Sequence, residues 1–256
     1  MRVFFLALLL ALVTGSVPTD AQTTQSEGSI VVKGLLVKAK DRTRKPLARK
    51  RFYLFPGGLA DNQPLIDRIK AAELASRDCF YVALKASPCF LAWLREENCE
   101  SPFCRVIKRE DIGSVPEFEA AYNKGLPLYA RKSDVALGWL LNNMPDDLVS
   151  GYYRHHKSVL DKVLAGTRPI QSTMTTSTAA EATFVGLPAS ETGTTYLVSN
   201  LLPVEVDDKS YVWACEVEVQ RNKIAVIPLQ PDSRRKNCIF ISYAVRSCTT
   251  ETCEKK

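Results

Sequence analysis

Eight cysteines lie downstream of an N-terminal apolar run, and they constrain this 256-residue chain more than any other feature. Met1-Arg2 is followed by the unbroken apolar stretch Val3–Val13, and Thr14–Ala21 is small and polar. That order is the signature of a secretory leader, with a cut expected after Ala21. The apolar run is too short to cross a bilayer, and no second long one follows, so no transmembrane span is expected. Cys79, Cys89, Cys99, Cys104, Cys215, Cys238, Cys248 and Cys253 all fall in the exported part. An even count in an oxidising compartment, secreted or periplasmic, reads as a disulfide framework. Eight cysteines allow 105 connectivities. The expectation adopted is the local set: Cys79–Cys89, Cys99–Cys104, Cys215–Cys238 and Cys248–Cys253. Zinc is the competing chemistry for Cys99/Cys104 and Cys248/Cys253, but their spacing of four intervening residues is wide for a structural knuckle. No metal site is expected.

Along the mature chain the pattern runs β, then α, then β. Ser29–Ala39 and Leu47–Phe55 are apolar, β-branched or aromatic runs, separated by a charged turn that Pro46 closes. Pro56-Gly57-Gly58 ends the second run. Helical spacing then dominates. Leu65–Ser76 presents one apolar face, and Ser87-Pro88 begins a second helix. Val115-Pro116 begins a third, ending near Gly125, and Ser133–Asn143 forms a fourth. Pro145–Ala165 is the longest, with Gly166 as its stop. After Pro169 the strand pattern returns. Ser172–Val198 contains the strand core Thr183-Phe184-Val185, the corner Gly186-Leu187-Pro188 and the strand Tyr196-Leu197-Val198. In Tyr211–Val219, alternate residues Tyr211, Trp213, Cys215, Val217 and Val219 face one way. Ile224–Leu229 is expected to pair back on it, and Asn237–Val245 is a last strand. The expected organisation is a leader at 1–21, first strands at 22–56 and a helical insertion at 57–171. The remaining strands and a disulfide-capped tail occupy 172–256. The fold class is α+β.

Two stretches carry a family resemblance. The first is Val32-Lys33-Gly34-Leu35-Leu36-Val37, then Lys45-Pro46-Leu47-Ala48 and Tyr53-Leu54. The second is Thr175-Thr176 through Ala182-Thr183-Phe184-Val185-Gly186-Leu187-Pro188, then Tyr196-Leu197-Val198. Together they resemble carboxypeptidase regulatory-like domains. The resemblance implies an antiparallel transthyretin-like β-sandwich, here interrupted by a disulfide-bearing α-helical insertion, and a passive binding or accessory role. Ala180 and Glu181 stand where that family usually has Asp and Gly. The connection between Pro56 and Ser172 is a few residues in the family and over a hundred here.

No catalytic or phosphate-binding motif stands out, and no cofactor is expected. Ser233-Arg234-Arg235-Lys236 matches Ser-x-x-Lys without its companion motifs, so it reads as a charged connector. The formal charge of +6 does not by itself imply nucleic acid, and none is expected as a partner. The strongest charge feature is Lys38–Arg51, where eight cations meet the single acid Asp41. Arg42, Arg44, Lys45, Arg49 and Lys50 are the candidate binding residues, projecting from a hairpin end. The bland account is edge-strand protection; the functional one is docking to an anionic polymer or envelope protein. The leading reading is therefore an exported non-enzymatic binding module. The alternative is a secreted hydrolase with a site between insertion and sandwich, using His155 or His156 with Asp146, Asp147 or Asp161. Successive residues on a helix point about 100° apart, so the two histidines do not converge on one ion. His156 shares a face with Val149, Tyr152 and Val163 and reads as half-buried. Trp93, Trp139 and Trp213 are all expected in cores.

Overall fold

A computed structural model describes residues 27–37, 44–97, 99–176, 178–206, 209–229 and 237–244, together with Cys248 and Cys253. The leader, Arg42 and the Ser233–Lys236 connector lie outside the described residues. The strands before the helices are β1 (Glu27–Lys33), β2 (Leu35–Val37), β3 (Arg44–Pro46) and β4 (Arg51–Pro56). The helices are α1 (Gln63–Ala71), α2 (Arg77–Ala83), α3 (Pro88–Glu96), α4 (Arg109–Ile112), α5 (Pro116–Leu128), α6 (Ser133–Gly138), α7 (Leu140–Asn143) and α8 (Asp146–Val163), with a 3-10 turn at Pro102–Cys104. Strands β5 (Gln171–Met174), β6 (Glu181–Pro188), β7 (Thr194–Ser199), β8 (Val204–Val206), β9 (Lys209–Val219), β10 (Ile224–Pro228) and β11 (Cys238–Ala244) follow. The fold is mixed α+β with mainly antiparallel sheets.

The larger sheet has the order β11-β9-β7-β4-β5, with β8 also paired to β9, and the smaller has the order β10-β1-β6. Strict alternation along β4 and β9 gives the larger sheet two different faces. Phe52, Leu54, Tyr196, Val198, Trp213 and Cys215 share a core with Ile30, Val32, Phe184 and Ile227 of the smaller sheet. Phe55, Leu197, Val212 and Ala214 point the other way and pack with Leu65 and Ile69 of α1 and Val159 and Val163 of α8. A third core lies among the helices, around Tyr81, Phe90, Trp93, Phe118 and Tyr152. Helix α8 belongs to two cores: Leu148, Val149 and Tyr152 to the helical one, Val159 and Val163 to the sheet-facing one. The helices leave β4 at Pro56 and return at Gln171, where β5 pairs antiparallel with β4 through Tyr53↔Ser172 and Leu54↔Gln171.

Several local expectations are revised. Strand β10 does not pair back on β9; it runs parallel to β1. Strand β9 has β7 and β8 along one edge and β11 along the other over residues 209–215, so those stretches of its hydrogen-bonding edges are taken. Leu47–Lys50 is a turn rather than strand, with Arg49 left-handed at φ 58. The Leu65–Ser76 pattern stops at Ala71, because Ser76 caps α2 by accepting from the Cys79 amide at 3.2 Å. The Ser133–Asn143 helix is broken at Trp139, which is 55 % exposed rather than buried. Helix α5 continues past Gly125 to Leu128. At Gly186, φ is 66 and the β1–β6 register slips, so the Gly-Leu-Pro corner is a bulge inside a continuing strand.

The disulfides are half local. Cys99–Cys104 closes a small loop, and Cys215–Cys238 joins directly opposed residues of β9 and β11. The other two expected pairs are replaced by Cys79–Cys248 and Cys89–Cys253, with Cα separations of 5.0 and 4.5 Å. Cys79 and Cys89 sit on separate helices, α2 and α3, and each meets the chain tail instead of the other. No cysteine is free. Among the described residues no helix is long and apolar enough to cross a membrane.

Candidate functional site: a cationic cleft between helix α8 and the large sheet

The third and fourth turns of α8 run past one end of the larger sheet. Tyr153, His156, Lys157 and Leu160 are spaced three and four residues apart, so they form one stripe on the helix. This stripe makes one wall of a cleft of about 600 Å³. Opposite it lie Ala48–Arg51, Tyr53 and Met174. Leu202, Pro203 and Val204 and the Cys99–Cys104 loop complete the lining.

Each wall is held by its own hydrogen bonds. Buried Thr175 clamps the turn before β4: its hydroxyl donates to the Leu47 carbonyl and accepts from the Lys50 amide at 2.8 Å. The Thr175 amide donates to the Lys50 carbonyl at 2.9 Å. This clamp turns Lys50 inward, where it is only 6 % exposed. Its ammonium donates to Glu100 Oε1 at 2.5 Å. Glu100 sits in the disulfide loop, with its carbonyl accepting from the Tyr81 hydroxyl at 3.1 Å and the preceding Cys99 carbonyl accepting from Arg77 at 3.0 Å. Asn200 fixes the third wall. Its amide nitrogen donates to the carbonyls of Leu202 and Tyr211, and its oxygen accepts from the Trp213 amide.

Electrostatics differ between the cleft's depth and its mouth. Burial opposes ionisation of Glu100, yet Lys50, His156 and Arg77 together hold its carboxyl below the ordinary range. Burial pushes His156 down to about 4, against the pull of Glu100 and with help from Lys50 and His155, so the ring is neutral near pH 7. It lies against Tyr152, with ring centroids 4.2 Å apart, and its Nε2 is buried without a partner among the described residues. At the mouth, Arg49, Arg51 and Lys157 are exposed. Four cations and one carboxylate therefore line the cleft. Among the described residues no cluster of three or more metal-ligating side chains forms.

The candidate residues read from sequence divide here. Arg49 and Lys50 belong to the cleft. Lys50 is buried and paired, not projecting, because its neighbour Thr175 directs it under α8. Arg44 and Lys45 lie on β3, which among the described residues pairs with β2 alone, and Arg44 does not line the cleft. Of the histidines, His156 enters the cleft, while His155 stacks on Phe80 at 5.6 Å between centroids. The carboxylates proposed to serve them do not reach them: Asp146 and Asp147 bind the exposed Arg154, and Asp161 binds Lys157 at the cleft mouth. Glu100 is the carboxylate that joins His156. No local signal marked it, since a charged residue inside a cysteine loop reads as solvated. Arg51, Lys157 and Met174 were likewise unmarked as a group, because they come from three elements. No family model matches this chain, and no curated protein or solved structure matches it either.

Proposed function

We propose that the chain is an exported, non-enzymatic binding module of carboxypeptidase regulatory-like type, with a transthyretin-like arrangement of its two sheets, and that its cleft receives an anionic partner. The observation that carries this reading is the charge imbalance of the cleft: four cations against one carboxylate on partly apolar walls. A concave site of one sign concentrates ions of the other sign and raises their capture rate. The fold assignment is supported by the residue resemblance together with the shared core of the two sheets. Export is supported by the leader pattern and by four disulfides that use every cysteine.

Retention on immobilised heparin across a salt gradient tests the reading. Arg49→Glu with Arg51→Glu should elute at clearly lower salt than the wild-type chain. Both are exposed, so the fold should be little changed. Equal elution of the two proteins would defeat the proposal.

A second reading, a hydrolase, is favoured by one observation: His156 and Glu100 line the same cleft. An imidazole beside a carboxylate can serve as a general base, here a weak one because burial lowers its basicity. Among the described residues the lining holds no Ser or Thr, and Cys99 and Cys104 are bonded to each other, so this reading takes water as the nucleophile. Turnover of an aryl ester that disappears in His156→Phe would establish this reading over the first.

A further inference from the structure

We infer that the cleft's ligand is a small amphipathic acid: a carboxylate head on an apolar body, with the body inside and the head at the mouth. The inference rests on the reading of the cleft as an anion site and specifies which anion fits it.

The distribution of charge with depth gives the orientation. Lys50, the one buried cation, is already neutralised by Glu100 at 2.5 Å. His156 beside them is neutral. The inner end therefore offers no uncompensated positive charge, and a carboxylate pushed there would meet the Glu100 carboxylate. The cations that remain for a ligand are Arg49, Arg51 and Lys157, all exposed. Arg49 also donates to the Glu97 carbonyl at 3.4 Å, and Lys157 to Asp161 at 2.6 Å. Among the described residues no carboxylate pairs with Arg51, which makes it the principal contact for the head.

The walls give the body. Met174 and Tyr153 are large apolar residues left 45 % and 44 % exposed, and they stand on opposite sides of the cleft. Leu160, Leu202 and Val204 extend the apolar lining between them. A volume of about 600 Å³ lies in the range that encloses most of a small ligand, lined by apolar side chains with a few oriented polar groups. It is too small for a folded partner. A polyanion carries charge along its whole length, so it would engage the rim and leave Met174 and Leu160 wet. An acid with an aromatic or acyl body removes that apolar surface from water and still presents its charge to Arg51.

Isothermal titration of the full chain with four soluble probes tests this. 4-Phenylbutyrate carries head and aromatic body, decanoate carries head and acyl body, butyrate is the head alone, and 4-phenylbutan-1-ol is the body alone. At least one of the two amphipathic acids should bind about tenfold or more tighter than both butyrate and the alcohol, a factor matched to one charge-assisted contact plus apolar burial. Arg51→Ala with Lys157→Ala should weaken the acid by a similar factor and leave the alcohol unchanged. Met174→Trp, which fills the apolar wall, should weaken acid and alcohol alike without altering retention on heparin. Circular dichroism of each variant separates lost binding from lost folding. Acid and alcohol binding equally, acid and butyrate binding equally, or none binding at millimolar concentration would overturn the inference. If that happened while the arginine reversals still lowered heparin retention, the anion-binding reading would stand and only the amphipathic ligand would fall.

Discussion

The two faces of the larger sheet are built from the same strands and end differently. The face toward the smaller sheet is sealed: Phe52, Leu54, Trp213 and their neighbours are apolar and almost wholly buried. The face toward the helices is sealed only where α1 and α8 cover Phe55, Leu197 and Val212. Beyond that, at Arg51, Tyr53 and Met174, the cover lifts and the cleft begins. There Lys50 is buried, with Glu100 and His156 partly buried beside it. Apolar burial is insensitive to protonation, whereas burial of ionisable groups ties stability to pH and to the presence of every partner. The sealed face holds the fold, and the open face brings Lys50, Glu100 and His156 together in one cleft.

Four variants probe that contrast, beginning with the largest effect. Trp213→Ala opens a cavity in the sealed face and should cost about 3–5 kcal/mol, read as a shift of the urea midpoint. It should leave the cleft's ligand affinity intact in whatever fraction remains folded. A shift below about 1 kcal/mol would deny that face its structural role.

Lys50→Ala leaves the Glu100 carboxylate half-buried beside His156 without its ammonium. Breaking one side of a buried ion pair typically costs about 3–5 kcal/mol, and the partial exposure of Glu100 moves this pair toward the lower end. Lys50→Met combined with Glu100→Leu removes both charges and should be close to neutral in stability. If the double variant is as unstable as the single one, the pair contributes packing rather than charge compensation.

The smallest effect is in pH. Burial lowers His156 from 6.5 to about 4, so between those values the unfolded chain binds a proton that the folded chain refuses. Stability should therefore fall as pH drops through that window, by roughly 3 kcal/mol. Glu100, held below its ordinary value by Lys50 and His156 despite its burial, adds its own loss only at the acid end. In His156→Phe the dependence between about pH 6.5 and 4 should flatten. A variant with the same slope as wild type would place the titrating group elsewhere.

Much of the fold was legible because its signals are short-ranged. The alternation in Tyr211–Val219 identifies β9 and its buried face, and every residue assigned to that face packs in the inter-sheet core. Phe52 and Leu54 face the inter-sheet core while Tyr53 and Phe55 face the helices, the split that alternation along a strand dictates. The long amphipathic run ending at Gly166 is α8, and Ser87-Pro88 starts α3 with its hydroxyl accepting from the Phe90 amide. The candidate site was legible only in pieces. Arg49, Lys50 and His156 were each singled out, but for different functions and with no reason to expect them in one cleft. Glu100 carried no pattern at all.

From sequence alone come the element types, the facing of β4 and β9, the position of the longest helix and the completeness of the cysteine set. These depend on periodicity and composition over a few residues, which the chain carries locally. Tertiary structure decided which strand β10 joins, which cysteines the tail finds, that Lys50 points inward, and that Glu100 and His156 share one cleft. Those choices rest on which groups come within a few ångströms after the chain has folded back on itself. Cys79 and Cys248 are 169 positions apart, and no local pattern encodes their meeting.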